Sequence, residues 1–371
     1  MSTDGELATL LQWVRTESPT HDYAAVNVMM DLVVADVAGL PISVERLPGR
    51  DGLGDALILR AGAETTAPPT LLLAHLDTVH PVGTATTDLP VRIEGDRLYG
   101  PGVYDMKGGA YLALQAFKEV ALANSNTHPL TFLFTPDEEI GSPTSRVVIE
   151  DLARNARAAL VVEPARDGGK IVTSRKGVGR FDVKVIGKAA HAGLRHREGR
   201  NAIHEAARLI TIIAGMTDYE RGVTTTVGMI SGGTAANTIP PLCQFPVDLR
   251  IESIEDADAV TAAVLALAPS DPGFKLQVSG GLNRPPFERT PGTDRLFALA
   301  RQIASDLGIE FGSVDQVGGG SDGNFTAALG IPTLDGLGID GDGAHTFNEY
   351  ALISSIGPRR DILRRLLEAP L

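Results

Sequence analysis

Two histidines and several carboxylates in this chain occur where side chains can converge on a ligand. A nearly continuous apolar run at residues 70–74 leads into His75-Leu76-Asp77, and another at 130–134 leads into Thr135-Pro136-Asp137-Glu138-Glu139. A third run, 158–162, leads into Glu163-Pro164. Runs of this kind read as strands of a parallel sheet buried on both faces. In open α/β sheets, ligands sit at the carboxyl ends of such strands. His75 and Asp77 fall on one face of their strand because side chains alternate. The loop Gly100-Pro101-Gly102-Val103-Tyr104-Asp105, just before a helix, adds a carboxylate, and the loop from Gly341 to His345 adds an imidazole.

So many carboxylates cannot meet unpaired, because each ionised neighbour raises the pKa of the others. A cation removes the conflict. Mixed imidazole and carboxylate ligation suits zinc, cobalt or manganese better than calcium, which prefers oxygen alone. Two histidines and three carboxylates are too many for one tetrahedral ion with an open position, and suit two ions sharing a bridging carboxylate. Each piece alone has a plainer reading. His75 and Glu163 could be ordinary strand ends, Asp105 a helix N-cap, Glu138-Glu139 an acidic turn, and His345 a loop residue. Their joint placement at strand ends favours the metal centre.

The elements that must position these residues can be read along the chain. Helices are expected at 6–16, 23–38 and 108–123, alternating with the buried strands, which gives an α/β sheet covered on both faces. Between residues 177 and 287 the pattern changes. Phe181, Val183 and Val185 alternate with Asp182 and Lys184, as in a half-buried antiparallel strand. A helix at 201–216, strands at 223–230 and 244–251, a helix at 256–267 and a strand at 274–278 complete a β-α-β-β-α-β order, which is ferredoxin-like. From residue 293 the alternating pattern resumes: a helix, a Gly-rich loop, a short helix, a strand at 331–334 and a last helix ending near 367. The expected fold is therefore α/β: a mixed, largely parallel sheet covered by helices, with an inserted ferredoxin-like α+β domain. Its domains would be 1–176, 177–287 and 288–371, the first and last forming one body.

Composition agrees with an enzyme of this build. The 371 residues fit two domains, and 43% apolar with 21% charged residues allows a large core. Lys and Arg number 33 against 46 Asp and Glu, a net charge of −13, which disfavours nucleic acid and anionic membranes as partners. No run of 18 apolar residues offers a membrane span, and Met1 to Ala8 lacks the form of a secretory leader, so a cytoplasmic location is expected. The single cysteine, Cys243, excludes an intrachain disulfide or a cysteine metal cluster.

The motifs resemble those of the dinuclear-zinc exopeptidases and deacylases, which include glutamate carboxypeptidase, acetylornithine deacetylase, succinyl-diaminopimelate desuccinylase and aminoacylase. The resemblance rests on His75-Leu-Asp-Thr-Val79, Gly100-Pro-Gly-Val-Tyr-Asp-Met-Lys-Gly-Gly109, Asp137-Glu-Glu-Ile-Gly141, Val162-Glu-Pro164 and Gly187-Lys-Ala-Ala-His-Ala-Gly193. It continues through Gly232-Gly-Thr-Ala-Ala-Asn-Thr-Ile-Pro240, Asp248-Leu-Arg250, Gly318-Gly-Gly-Ser-Asp322 and Gly343-Ala-His345. Arg284-Pro-Pro-Phe287 and Gly336-Leu-Gly338 point to the glutamate carboxypeptidase branch.

The resemblance implies roles residue by residue. Asp105 would bridge two divalent ions, most simply zinc, with His75 and Glu163 completing one site and Glu139 and His345 the other. Asp77 would hydrogen-bond the His75 imidazole and fix its tautomer. Glu138 would be general base and acid. The inserted domain would be a lid and homodimerisation domain, hinged near 175–178 and 285–290. His191 would reach a neighbouring subunit's site and stabilise an oxyanion. Asn237, Arg250 and Arg284 would hold a substrate carboxylate. The implied activity is hydrolysis of the amide of an N-acyl amino acid or small peptide with a free carboxylate, as in a metallopeptidase of the carboxypeptidase type. An N-deacylase of the acetylornithine or succinyl-diaminopimelate type, a hydrolase of a non-peptidic C–N bond and a catalytically silent metal-binding protein are the alternatives. One stretch departs from the family: Leu194-Arg195-His196-Arg197 replaces a region that often carries proline. Its basic residues, with Arg175 and Lys176, fit either selection of an acidic substrate or a solvated or dimer surface.

Overall fold

The computed structural model describes residues 3–62 and 67–370. Met1 and Ser2, the start of the stretch read above for a leader, lie outside the described residues. Two compact units form. One contains the residues up to Ser174, Arg289–Val317 and those from Ser321 onward, and the other contains Arg175–Glu288 with Gly318–Gly320.

The first unit is built on a six-stranded sheet in the order Ser43–Leu47, Ala56–Ala61, Leu130–Thr135, Thr70–His75, Ala158–Val161, Thr333–Leu334. The first two junctions are antiparallel and the remaining three are parallel. The three central strands are buried at every residue, so they read as continuous apolar runs. Alternate residues serve opposite faces. Leu72, Phe132 and Leu160 join the large core with Trp13, Val33, Phe117 and Leu363 of the helices Thr3–Arg15, Tyr23–Val37, Gly108–Ala123 and Ile356–Glu368. Leu71, Leu133 and Val161 join Ile149 of Arg146–Ala153 and Phe325 of Gly323–Ala328.

The second unit holds an antiparallel sheet in the order Thr224–Thr226, Leu242–Ile251, Gly177–Ile186, Lys275–Arg284, with Ser231–Gly232 also paired to Leu242–Ile251. The first strand in sequence lies inside the sheet, as the ferredoxin-like order requires. The helices Ala202–Ala214 and Ile254–Leu265 contribute Leu209, Ile213 and Val264 to one cluster with Phe181, Val183, Phe245 and Val247. Among the described residues, no helix is long and apolar enough to cross a membrane.

Some expectations need correction. The strand expected at 223–230 is confined to Thr224–Thr226. Met229 is 71% exposed and Ile230 54%, so their apolar character does not reflect burial. The last strand of this unit extends to Arg284, through Gly280. At Gly280 φ is +107°, and a Cβ would meet the Arg180 carbonyl oxygen at 2.2 Å, so glycine is what allows the strand to continue. The edge strand Ser43–Leu47 is exposed at four of five positions and carries no periodicity that marks a strand.

The helix Gly108–Ala123 fits against the Glu163 segment only because residue 109 lacks a side chain. A Cβ on Gly109 would lie 2.1 Å from the Val162 carbonyl oxygen and 3.1 Å from the Cα of Gly338. Gly109→Ala is expected to destabilise the protein by about 1–3 kcal/mol through overpacking, read as a lower denaturant midpoint. An unchanged midpoint would show that this approach is not constrained.

Candidate metal centre

Three parallel strands deliver the first components. Thr70–His75 ends at His75, Leu130–Thr135 runs into the short turn Glu138–Ile140, and Ala158–Val161 leads to Glu163. Asp105 lies in the irregular turn Val103–Lys107, and its peptide with Met106 is cis. It is not the N-cap of the following helix, a position held by Lys107 with no side-chain cap. His345 sits between the paired strands Gly341–Asp342 and Tyr350–Leu352, with φ +63°.

The two oxygens of Asp105 divide the other groups. Asp105 Oδ1 is 3.2 Å from His75 Nε2, which lies 3.7 Å from Glu163 Oε1. Asp105 Oδ2 is 3.4 Å from His345 Nε2, which lies 3.0 Å from Glu139 Oε2. Ligand atoms around a tetrahedral ion with bonds of roughly 2.0–2.1 Å sit about 3.3 Å apart, and these separations bracket that spacing. Glu138 also clusters with His75 and Glu163, one ligand atom of each lying within 4.8 Å of the others.

Burial makes the arrangement electrostatically demanding. His75, Glu139 and Glu163 are 1%, 4% and 7% exposed at their side chains, whereas His345 is 54% exposed. Glu139 Oε1 is buried without a hydrogen-bond partner among the described residues. An acceptor left so, beside further carboxylates, fits a cation better than a closed hydrogen-bond network. Burial raises the Glu139 carboxyl, and the nearby Asp105 charge raises it further against the lowering bond to His345. Burial would also raise Asp105, but its bonds to His345 and His75 hold it well below the usual carboxylate range. Burial pushes the His75 imidazolium down, yet bonds to Asp105 and Asp77 and the charges of Asp77 and Glu163 leave it well above its usual range. His345 is pushed up to about 11, first by its bond to Asp105 and then by that to Glu139.

Asp77 does more than sequence reading anticipated. His75 Nδ1 is 2.9 Å from the Asp77 main-chain oxygen and 3.4 Å from Asp77 Oδ1. The Asp77 carboxylate accepts from the main-chain N–H of Glu138 (3.1 Å) and of Glu139 (3.2 Å), and from the Thr20 hydroxyl (2.8 Å). One carboxylate therefore orients both an imidazole and the turn bearing two acids. Asp137, in the same acidic run, turns inward to accept from the main-chain N–H and hydroxyl of Thr144, both at 2.7 Å. Asp322 accepts from Thr135 Oγ1 at 3.0 Å and from the Ser142 hydroxyl, holding both ends of that turn. The sequence gives no signal for the Asp77 and Asp322 tethers, because their partners are remote in the chain.

The remaining site residues expected from sequence lie in the second unit. His191 pairs with Thr238 across a short ladder, and the Ala192 N–H donates to the Asn237 carbonyl at 2.9 Å, so His191 and Asn237 stand on adjacent segments. His191 Nδ1 accepts from the main-chain N–H of Gly193 and Leu194, both at 3.2 Å, which leaves the proton on Nε2. Arg250 and Arg284 both pair in register with Val178, on the two sides of its strand. Arg250 grips Asp248 at 2.9 and 3.0 Å and donates to the Gly318 carbonyl at 3.2 Å. A Cβ on Gly320 would meet Arg284 Cδ at 2.5 Å. Of the basic residues considered for substrate selection, Arg175 is buried and donates to the Gly319 carbonyl, and Lys176 pairs with Glu252 at 3.1 Å.

Comparison with known proteins shows the family. Residues 71–369 match the model of peptidase family M20/M25/M40. The chain belongs to this family. It is therefore a hydrolase of the M20/M25/M40 group, as the motifs imply. It is 30% identical to carboxypeptidase G2 of Pseudomonas sp. (strain RS-16), with 97% of this chain and 88% of that protein covered. It is 29% identical to succinyl-diaminopimelate desuccinylase of Paracidovorax citrulli (strain AAC00-1), over 91% of this chain and 92% of that protein. The fold is similar to that of a tripeptidase from Staphylococcus aureus subsp. aureus Mu50, with a TM-score of 0.77, 22% identity and coverage of 99% and 98% of the two chains.

Metal ligation by His75 and His345 requires neutral imidazoles, but the carboxylates around them raise both pKa values and favour the protonated forms when no metal is bound. Titration of metal-free protein with a divalent cation is expected to release protons, and affinity is expected to rise as pH goes from about 6 to about 8. Calorimetry in two buffers of different ionisation enthalpy measures this. Metal affinity independent of pH would remove both imidazoles from the ligand set.

Proposed function

We propose that this M20/M25/M40 hydrolase is a dinuclear metal enzyme that cleaves the amide of an N-acyl amino acid or small peptide, releasing a C-terminal acidic residue as the amine product. The observation that carries the reading is the division of His75 with Glu163 and His345 with Glu139 between the two oxygens of Asp105. His75, Asp105 and Glu163 would hold one ion and Asp105, Glu139 and His345 the other. Zinc is the first choice for this donor set, with cobalt or manganese able to replace it. When bound, such a pair polarises the scissile carbonyl and brings the pKa of a shared water down towards neutrality.

The chain's own groups supply the rest. Glu138 takes the proton of the attacking water and returns one to the leaving amine, a contribution of roughly 10²–10⁴-fold. Asp77 holds the main chain of Glu138 and Glu139 and the His75 ring in register for this transfer. His191, with its proton on Nε2, donates to the oxyanion of the tetrahedral intermediate in a neighbouring subunit. Asn237, Arg250 and Arg284 take the substrate carboxylate. Arg250 has five N–H donors, and three are engaged by Asp248 and Gly318, which leaves two for a ligand. The proposal includes residues 177–287 as a lid and homodimerisation domain, supported by the family resemblance.

The likeness to a succinyl-diaminopimelate desuccinylase supports a second reading, an N-deacylase that selects a short acyl group. Product analysis on a panel of N-acyl and peptidyl amino acids separates the two. Release of glutamate or aspartate from varied acyl partners is expected, with activity abolished by a chelator and restored by zinc, cobalt or manganese. Glu138→Gln is expected to lower kcat by at least about 10²-fold with metal content unchanged. Retained turnover in this variant would remove Glu138 as the proton carrier, and selection by acyl group alone would establish the deacylase.

A further inference from the structure

A buried carboxylate outside the ligand set joins the segments carrying Asp105 and His345. Glu349 is 1% exposed and follows His345 by four positions. Its Oε1 accepts from the main-chain N–H of Tyr104 at 2.8 Å and of Asp105 at 3.0 Å. Its Oε2 accepts from the Gly102 N–H at 3.0 Å and lies 3.1 Å from His80 Nε2, which must carry a proton to face it. Each oxygen therefore has two donors, and three of the four donors belong to the turn that presents Asp105. Main-chain N–H groups converging in this way form an anion-binding nest, here filled by a side chain of the same protein.

We propose that Glu349 is a positioning residue that sets the separation of Asp105 from His345 and thereby tunes the affinity of the metal centre. The proposal rests on the reading of Asp105 and His345 as metal ligands. The Asp105 main chain is bonded directly to Glu349, so its carboxylate projects from an anchored N–H. At the other end, Glu349 directly precedes the strand Tyr350–Leu352, which pairs with Gly341–Asp342 on the far side of His345. A Cβ on Gly343 would meet the Asn348 carbonyl oxygen at 2.8 Å and the Glu349 Cα at 3.0 Å, so this hairpin closes tightly on Glu349. The 3.4 Å between Asp105 Oδ2 and His345 Nε2 is thus spanned by one rigid bridge. Lys107, whose ammonium donates to the Thr16 carbonyl at 2.6 Å, places a positive charge near the same carboxylate.

The test is titration of metal-free wild-type protein, Glu349→Gln and His80→Ala with Co²⁺ against a chromophoric chelator, at a temperature where circular dichroism shows each to be folded. Wild type is expected to take up two ions. Glu349→Gln keeps one acceptor oxygen and is expected to weaken cobalt affinity about 10–100-fold, the effect typical of groups that orient ligands. Its Co²⁺ absorption bands should shift as the coordination geometry changes. His80→Ala removes one donor to Glu349 and is expected to give a smaller loss in the same direction, and it serves alone if Glu349→Gln does not fold. At saturating metal, kcat should fall with KM kept within about twofold. Wild-type affinity and unchanged bands in the folded variants, with only a lower Tm, would make Glu349 a stability element and overturn the inference. Failure of the wild type to take up Co²⁺ would instead overturn the metal reading on which it rests.

Discussion

Negative charge brought together inside a protein has to be neutralised, and that constraint organises this molecule. Asp105, Glu139 and Glu163 meet His75 and His345 over separations of 3.0 to 3.7 Å, and most of these side chains are buried. Neighbouring carboxylates raise the pKa of both imidazoles, which favours protons there that answer part of the charge. Two divalent cations would answer it more completely, and they would also engage Glu139 Oε1, which has no hydrogen-bond partner among the described residues. The site is thus suited to divalent charge by the same interactions that would make it unfavourable without compensation.

Holding such a cluster requires a scaffold that does not relax away from it. The parallel strands fix His75 and the starts of the Glu138 and Glu163 segments, because each strand is buried on both faces. The loops between them have no such constraint, and a second layer of carboxylates anchors them. Asp77 binds the N–H groups of the Glu138–Glu139 turn, Asp322 ties Thr135 and Ser142, and Glu349 fills the turn before Asp105. Each is buried and satisfied by several donors, which is the condition under which a buried charge adds order. The cluster of imidazoles and carboxylates is therefore held in place by acids that lie outside it.

The second unit applies the same economy to a different task. Arg250 and Arg284 lie on the two sides of Val178, so two guanidinium groups occupy one register of a sheet. Asp248 and the carbonyls of Gly318 and Gly319 take up part of the donor capacity of Arg250 and Arg175. In the motif Gly318-Gly-Gly-Ser-Asp322, the lack of a side chain at Gly320 permits the backbone to approach Arg284, while its Asp322 ties Thr135 and Ser142 in the other unit. A single short motif is shared between an arginine pair and the turn of the acids.

The chain's local chemistry was enough to find the central strands, most helices, the ferredoxin-like order and all five convergent side chains. Continuous apolar runs need burial on both faces, and a polar residue ending such a run stands out against it. His75, Glu139 and Glu163 were legible for that reason, while Asp105 and His345 show in the sequence only as polar residues of loops beside regular elements, and their separate roles come from the family motifs. The edge strand Ser43–Leu47 and the short extent of Thr224–Thr226 were not legible, since exposure uncouples side-chain character from strand pairing. Only the tertiary structure decided that Asp105 gives one oxygen to each pair, that Asp77 caps the acidic turn and that Glu349 bridges two loops. Those facts depend on hydrogen bonds between residues tens to hundreds of positions apart. A carboxylate carries no mark of which distant N–H it will meet, because folding alone brings the two together.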